Sequence, residues 1–208
     1  AFKKSYSNFS DIYSKNIDDN PKGFGGMGVI NDSPRKQMFQ GPLKQTDGAL
    51  DLAVSGLGFL TLASTNDTEN RFYTRDGSLG LSSKGEVINQ QGLNLLAHPV
   101  IGDATFNPAI FEKVIIQPNI TDSLGNTRIL TNINVSSSGV LKAIYGLDEE
   151  VVIAKIPLTS FENMEALQSE GNNLFTPTTK SGEPIVGIAL EENMGEIIPG
   201  FLEGSNVE

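Results

Sequence analysis

A chain of 208 residues, 38% hydrophobic and carrying 22 glycines, has enough apolar surface to bury a core without help from metal or crosslinks. A net charge of −10 with no Lys/Arg cluster argues against nucleic acid or an anionic membrane as partner, and zero cysteines exclude disulfides, thiolate catalysis and cysteine metal sites. No apolar run approaches the roughly 18 residues of a membrane span, and the opening Ala-Phe-Lys-Lys-Ser-Tyr has no signal-peptide hydrophobic region, so neither membrane insertion nor a leader is expected.

In chain order, residues 1–48 read as an N-terminal arm and loop. Phe2, Tyr6, Phe9, Ile12 and Tyr13 recur at spacings near three and four, which suits a short amphipathic helix ending before Pro21; an extended arm is the alternative. Lys22 to Met38, broken by glycines and Pro34, reads as loop. Gly23-Phe24-Gly25-Gly26-Met27-Gly28 matches the dinucleotide pattern G-x-G-x-x-G, but no strand leads in and Asn31 to Pro34 interrupts any following helix, so no cofactor is read there.

Residues 49–96 read as an antiparallel β-meander, because short apolar runs alternate with Gly, Asn, Asp and Ser clusters. Leu50, Leu52 and Val54 alternate with Asp51, Ala53 and Ser55, and Phe59 to Leu62 resumes after Gly56-Leu57-Gly58 as a buried strand. Arg71 to Leu81 makes the next pair around Asp76-Gly77. Ser82-Ser83-Lys84-Gly85 is a hairpin turn with Gly85 at positive φ, bringing Leu79 and Leu81 across to Val87.

Residues 97–128 lose periodicity around Pro99, Pro108 and Pro118 and read as a small insertion or excursion, with one strand over Glu112 to Gln117 and a turn over Asp122 to Thr127. Residues 129–208 form a second β unit. Val135 to Leu141 aligns with Leu81 to Val87 through a shared Ser-Gly turn, which suggests a repeated β hairpin or a chance likeness of two common turns. After a strand over Glu150 to Leu158, Thr159 and Glu162 have capping-box spacing, which predicts one short helix with Phe161, Met164 and Leu167 on one face and Gly171 as its stop. The last strands are Ile185 to Leu190 and Glu196 to Leu202. The fold class is all-β and antiparallel, a single β-rich unit with one short helix.

Chemistry is hard to place on this chain. Its one histidine, His98, precedes a proline in an expected turn and lacks Ser or carboxylate partners, which makes it a surface residue rather than a base. Asp148-Glu149-Glu150 and Glu191-Glu192 are adjacent runs without the alternation of a calcium loop. Ser136-Ser137-Ser138-Gly139 lacks the G-x-S-x-G elbow and reads as a turn. Arg75 either pairs with a local carboxylate, the favoured reading, or faces a neighbouring subunit. No catalytic, metal or cofactor residue is expected.

What the residues do spell is an order. Leu50, Asp51, Leu52, Ala53, Gly56, Gly58 and Phe59, then Tyr73, Thr74, Arg75 and Gly77, then Gly85 and Gly92 follow a pattern that resembles the axial proteins of the bacterial flagellum, the hook and rod proteins. Gln40 to Thr46, the spacing of Phe161, Asn163, Leu167, Gly171, Asn173 and Leu174, and the run Gly200, Phe201, Leu202, Glu203, Gly204, Ser205, Asn206 and Val207 are similar to the same family.

That resemblance implies a structural subunit, not an enzyme. It would lie in the flagellum, polymerise with itself through heterologous contacts into a helical tube that transmits torque, and abut other axial proteins. It also implies terminal helices before Phe2-Lys3 and after Ser205, so the sequence is expected to be a central fragment. Gly139 to Gly146 followed by Ile153 to Phe161 and Gly171 to Leu174, together with Phe2, Lys3, Lys4, Ser5, Phe9, Asp11 and Tyr13, resemble hook proteins more and favour a hook protein; a distal or proximal rod protein is the alternative, since residues 97–128 are short for a hook's outer insertion. More distant is an extracellular β-sandwich binding module that displays its loops to a ligand.

Overall fold

The computed structural model describes residues 3–6, 9–13, 26–31, 35–36, 38–102, 105–121, 125–147, 149–191 and 193–206. Its arm is extended. β1 (Ser5–Tyr6) pairs with β4 (Arg35–Lys36), and β2 (Phe9–Tyr13) pairs with β3 (Gly26–Asn31), all antiparallel. Over Ser5–Tyr6 and Phe9–Tyr13 the expected helix is therefore corrected to the extended alternative, and part of the loop expected over Lys22 to Met38 is strand; Phe2 lies outside the described residues. Phe, Ile and Tyr favour an extended backbone, and the returning strand supplies the hydrogen bonds that a short isolated helix would have to make alone. Gly26 and Gly28 lie in β3 and open no helix, while Gly23 and Gly25 fall outside the described residues.

The meander is present but wired differently. β5 (Leu43–Gln45) and β6 (Leu52–Ser55) precede the hairpin of β7 (Leu60–Ser64) and β8 (Asp67–Thr74); β9 (Leu79–Leu81), β10 (Val87–Asn89) and β11 (Asn94–Pro99) follow. β7 pairs with β8 and β11, and β10 pairs with β9 and β11. Arg71 to Thr74 thus turns back onto β7 rather than pairing with Leu79 to Leu81. β6 leaves the run altogether, because Gly56 (φ +97°) and Gly58 (φ +130°) swing the chain away between it and β7. Its Leu52, Ala53 and Val54 are all fully buried, so the expected alternation gives way to a strand covered on both faces.

Residues 97–128 are less of an excursion than their prolines suggest. β12 (Glu112–Lys113) pairs with β11, and the chain beyond it runs beside the β9–β10 turn, Val87 N–H donating to Val114 (2.9 Å) and Ile116 N–H to Gly85 (2.7 Å). Val114 and Ile116 are buried in the main core. β13 (Asn119–Thr121) then pairs with β14 (Thr127–Val135); residues 122–124 of the expected turn lie outside the described residues.

β14, β15 (Val140–Tyr145) and β16 (Glu149–Lys155) continue the large sheet onto β11. The turn between β14 and β15 copies the turn between β9 and β10 bond for bond. Ser136 N–H reaches Val140 and Gly139 N–H reaches Ser136, both at 2.9 Å, just as Ser82 reaches Glu86 and Gly85 reaches Ser82. In each, the serine hydroxyl also accepts a backbone N–H four residues on. Each glycine sits at positive φ with its carbonyl capped by a passing strand, Ile116 in one and Ile156 in the other. Two Ser-led turns closed by a left-handed glycine share this bonding because they are the same turn type.

β17 (Pro157–Ser160) pairs with β20 (Ile185–Ile188), and β18 (Gln168–Gly171) with β19 (Leu174–Thr176), which joins β8. Between them the predicted helix is only a 3₁₀ turn at Met164–Ala166. Thr159 is no cap: it belongs to β17 and its hydroxyl meets that of Thr61 at 2.9 Å in the interior. Phe161 and Leu167 are buried together nonetheless, in an aromatic cluster with Phe59, Tyr73 and Phe175 whose rings meet edge to face at 4.9–6.1 Å. The chain finishes with β21 (Glu196–Pro199) against β6 and β22 (Phe201–Glu203) against β5.

The paired turns generate a stability prediction. A Cβ at Gly85 would lie 2.2 Å from the Ile116 carbonyl oxygen and one at Gly139 2.4 Å from that of Ile156, whereas Gly92, equally left-handed, faces open space. Gly92→Ala should cost about 1–2 kcal/mol from backbone strain alone. Gly85→Ala and Gly139→Ala should each cost at least about 1 kcal/mol more, read as denaturant midpoints.

Candidate functional site

The charged residues that matter are far apart in sequence. β22 ends on Glu203, whose side chain is fully buried, and burying a carboxylate requires partners. Arg75, held just beyond β8, donates from Nε to Glu203 Oε2 at 2.9 Å. Lys3 Nζ donates to the other oxygen, Oε1, and to the Phe39 carbonyl at 2.7 Å. Gly41 N–H also donates to Oε1, at 2.8 Å.

Arg75 does more than neutralise. Its Nη2 donates to the carbonyls of Val54 (3.0 Å) and Gly56 (2.9 Å), the end of β6, and its guanidinium lies 5.9 Å from the Phe59 ring centre. One side chain thereby joins the last strand, the β6 exit and the aromatic cluster. Arg75 therefore neither pairs with a local carboxylate nor faces a neighbour, being only 2% exposed; both sequence readings of it are corrected. A bidentate-capable cation reaches the only partner that the closing strand offers it.

Burial pushes the Glu203 carboxyl upward, but the Arg75 charge, the Gly41 N–H and the Lys3 ammonium together outweigh it and hold it below the ordinary carboxylate value. Burial lowers Lys3, with Glu203 opposing. The cluster is a clamp of two cations on one carboxylate, with further donors of Lys3 and Arg75 met by backbone carbonyls.

The remaining signature residues lie in the core, in turns or at close backbone approaches. Leu50, Leu52, Ala53, Phe59, Tyr73 and Phe161 are core. Thr74 donates to the Asn173 carbonyl and receives Asp76 N–H, both 2.9 Å. Gly77 passes so close to Leu52 that a Cβ would lie 1.7 Å from its carbonyl oxygen, and Asp51 bridges to Ser78. Gly171 ends β18 at positive φ, and Gly200, at φ +72°, redirects the chain from β21 to β22 while its N–H donates to Asp51 (2.8 Å). Asn206 accepts Lys4 N–H at 2.7 Å; Ser205 follows the closing strand, and Val207 lies outside the described residues. Sequence reasoning missed Lys3 and Gly41 as Glu203 partners. The one available signal was an acidic residue inside an otherwise apolar strand ending.

His98 is corrected too. It lies in β11, 2% exposed, with Nδ1 2.8 Å from the Ile110 carbonyl and its ring 4.8 Å from that of Phe111. Burial lowers its pKa. It is a packed core residue, not a surface one. Among the described residues no group of three or more His, Cys, Asp or Glu is placed to hold a metal ion.

Residues 53–143 match the family described as the flagellar hook protein FlgE/F/G D1 domain. The flagellar basal-body rod protein FlgG of Buchnera aphidicola subsp. Acyrthosiphon pisum is 30% identical over 219 residues, covering 100% of this chain and 74% of that protein. FlgG of Borreliella burgdorferi is 31% identical over 81% of this chain and 54% of its own length. The flagellar hook protein FlgE of Escherichia coli strain K12 is 26% identical over 69% of this chain and 41% of its own length.

The clamp predicts a specific acid sensitivity. A depressed folded pKa means that Glu203 contributes stability above the unfolded value, near 4.3, and loses it as pH falls through the lower folded value. Glu203→Gln should cost about 3–5 kcal/mol at pH 7 by leaving Arg75 and Lys3 buried without a counter-charge. In urea titrations the gap between wild type and variant should narrow as pH drops below about 4.

Proposed function

This chain belongs to the family of flagellar hook and basal-body rod proteins, and we propose that within it the chain is a rod subunit rather than a hook subunit. Proteins of this family are structural parts of the bacterial flagellum, so the chain is a non-enzymatic axial component located there. The observation that carries the rod reading is coverage: the Buchnera rod relative aligns with the whole chain, while the Escherichia coli hook relative leaves about a third of it unmatched. The course of residues 97–128, which returns Val114 and Ile116 to the main core, supports the same reading.

This reverses the preference drawn from sequence. Of the residues read as hook-like, Gly139 serves here as a left-handed turn under the chain at Ile156, and Phe161 as part of the aromatic cluster.

In this reading the strands from Lys3 to Asn206 act as one β-rich body, held by a clamp that joins residues 3, 75 and 203, with the signature residues from Leu50 to Asn206 maintaining its shape. Copies repeat by a screw operation through heterologous contacts, giving an open tube next to other axial proteins. A stiff unit with satisfied interior charges suits a part that transmits torque. A display module for soluble ligands has less in its favour, since the arm that would supply its loops is strand-paired in part.

Deleting the corresponding gene in the flagellated cell that makes it tests the assignment. Electron microscopy of isolated basal bodies should show incomplete rods with no hook. Complete rods lacking only the hook would return the assignment to a hook protein.

A further inference from the structure

Residues 100–111 leave β11 after Pro99 and return at β12, where Ala97 pairs with Glu112 and Leu96 with Lys113. The backbone bonds that the described residues show along this segment close between Pro99 and Ile110: Asn107 N–H donates to the Pro99 carbonyl (3.1 Å), Ile101 N–H to Thr105 (2.7 Å) and Ile110 N–H to Asn107 (3.3 Å). Ile101 and Ile110 are 54% and 42% exposed, so neither anchors it. Side chains have to fasten it to the sheet.

His98 supplies the first contact. Its Nδ1, 2.8 Å from the Ile110 carbonyl, carries the proton of that bond, because a carbonyl can only accept. Phe111 packs on the imidazole at 4.8 Å and also holds the Arg71 guanidinium 4.4 Å from its ring centre, while Phe106 lies 5.5 Å from the Lys155 ammonium. Lys155 is the register partner of His98 across β11 and β16. The neutral ring with Nδ1–H satisfies this arrangement, and a second proton would go on Nε2. It would create a third cation beside Arg71 and Lys155 on a ring only 2% exposed. Of the other charged groups nearby, Glu112 on β12 is exposed, Lys113 is ion-paired with Glu86 at 3.4 Å, and Asp103 lies outside the described residues.

We propose that His98 is an acid-operated latch: on taking up a proton it releases residues 100–111 while β11 keeps its place in the sheet. Release gives up the Ile110 bond and the Phe111 contact, and it hydrates the imidazolium. Burial holds the latched ring below its ordinary value near 6.5; the Ile110 carbonyl opposes that shift and Lys155 adds to it. Because the latched form binds the proton less tightly than the released form, the latch is fully closed above about 6.5. It loosens as pH falls toward the lower latched value, by up to about tenfold per pH unit. This window lies above the ordinary carboxylate range, which separates it from the acid sensitivity of Glu203. The latch belongs to the chain whichever axial part it builds.

His98 is the one histidine of the chain, so its ring signals can be followed directly by NMR. The titration midpoint should fall below 6.5; a midpoint at or above that value overturns the proposal. Hydrogen exchange followed from roughly pH 8 to 5 and corrected for the intrinsic rate should show the amides of Ile101, Asn107 and Ile110 opening at lower free energy than those of Leu62 and Leu95. Their opening constants should rise by up to about tenfold per pH unit below 6.5. His98→Asn keeps a donor for the Ile110 carbonyl but cannot titrate, and should abolish that rise. If the segment opens only together with Leu62 and Leu95, no separate latch exists; if His98→Asn keeps the full pH slope, another group drives it. Either result overturns the inference. Should His98→Asn fail to fold, the wild-type midpoint and exchange profile still decide.

Discussion

Everything in the fold that involves the last strand depends on one carboxylate. Glu203 is buried to zero side-chain exposure and answered by a guanidinium, an ammonium and a backbone N–H. A buried ion pair adds little net stability relative to an apolar substitute, because desolvation cancels most of the Coulombic gain. Its strength lies in asymmetry. Once Arg75 and Lys3 are buried, any arrangement that omits Glu203 leaves charges stranded, so competing ways of closing the chain are penalised by several kcal/mol, on the order of the cost of breaking such a pair. The strand carrying Glu203 adds a short ladder to β5, flanked by Thr46 N–H to Gly200 and Gly204 N–H to Pro42, and the ion pairs hold it to Arg75 and Lys3 as well.

That role clarifies why glycines crowd the same region. A Cβ at Gly41 would lie 2.3 Å from the Gly204 carbonyl oxygen, and one at Gly77 1.7 Å from that of Leu52. The backbones around the clamp approach too closely for any side chain. The glycine pattern and the buried charges are one design: close backbones exclude water, and exclusion of water makes the ion cluster selective.

Local features were legible in the sequence because their causes are local. Gly85 and Gly139 each sit four residues into a Ser-led turn, and both were placed by that spacing. Phe59 and Leu62 announced themselves by apolar content, but the single strand expected over Glu150 to Leu158 is two, β16 and β17, which pair in different sheets. What escaped was everything decided across distance. β6 abandons its sequence neighbours for β21, and Arg75 finds its partner 128 residues away, choices that no periodicity encodes. Thr159 and Glu162 had the spacing of a helix cap, but the pull of β20 and the Thr61 hydroxyl made Thr159 a strand residue. His98 had no polar partner in sequence; its acceptor is a backbone carbonyl, a group that every residue has.

Native-state hydrogen exchange tests the central claim, that the clamp makes the closing strands part of the same cooperative unit as the core. The amides to follow are Gly41, bonded to Glu203, and Thr46 and Gly204, bonded across β5 and β22. If the clamp acts as described, these amides open with the free energy of Leu62 and Leu95 in the central sheet, in one global transition. Exchange of Gly41, Thr46 and Gly204 through a much cheaper local opening, with Leu62 and Leu95 still protected, would contradict it.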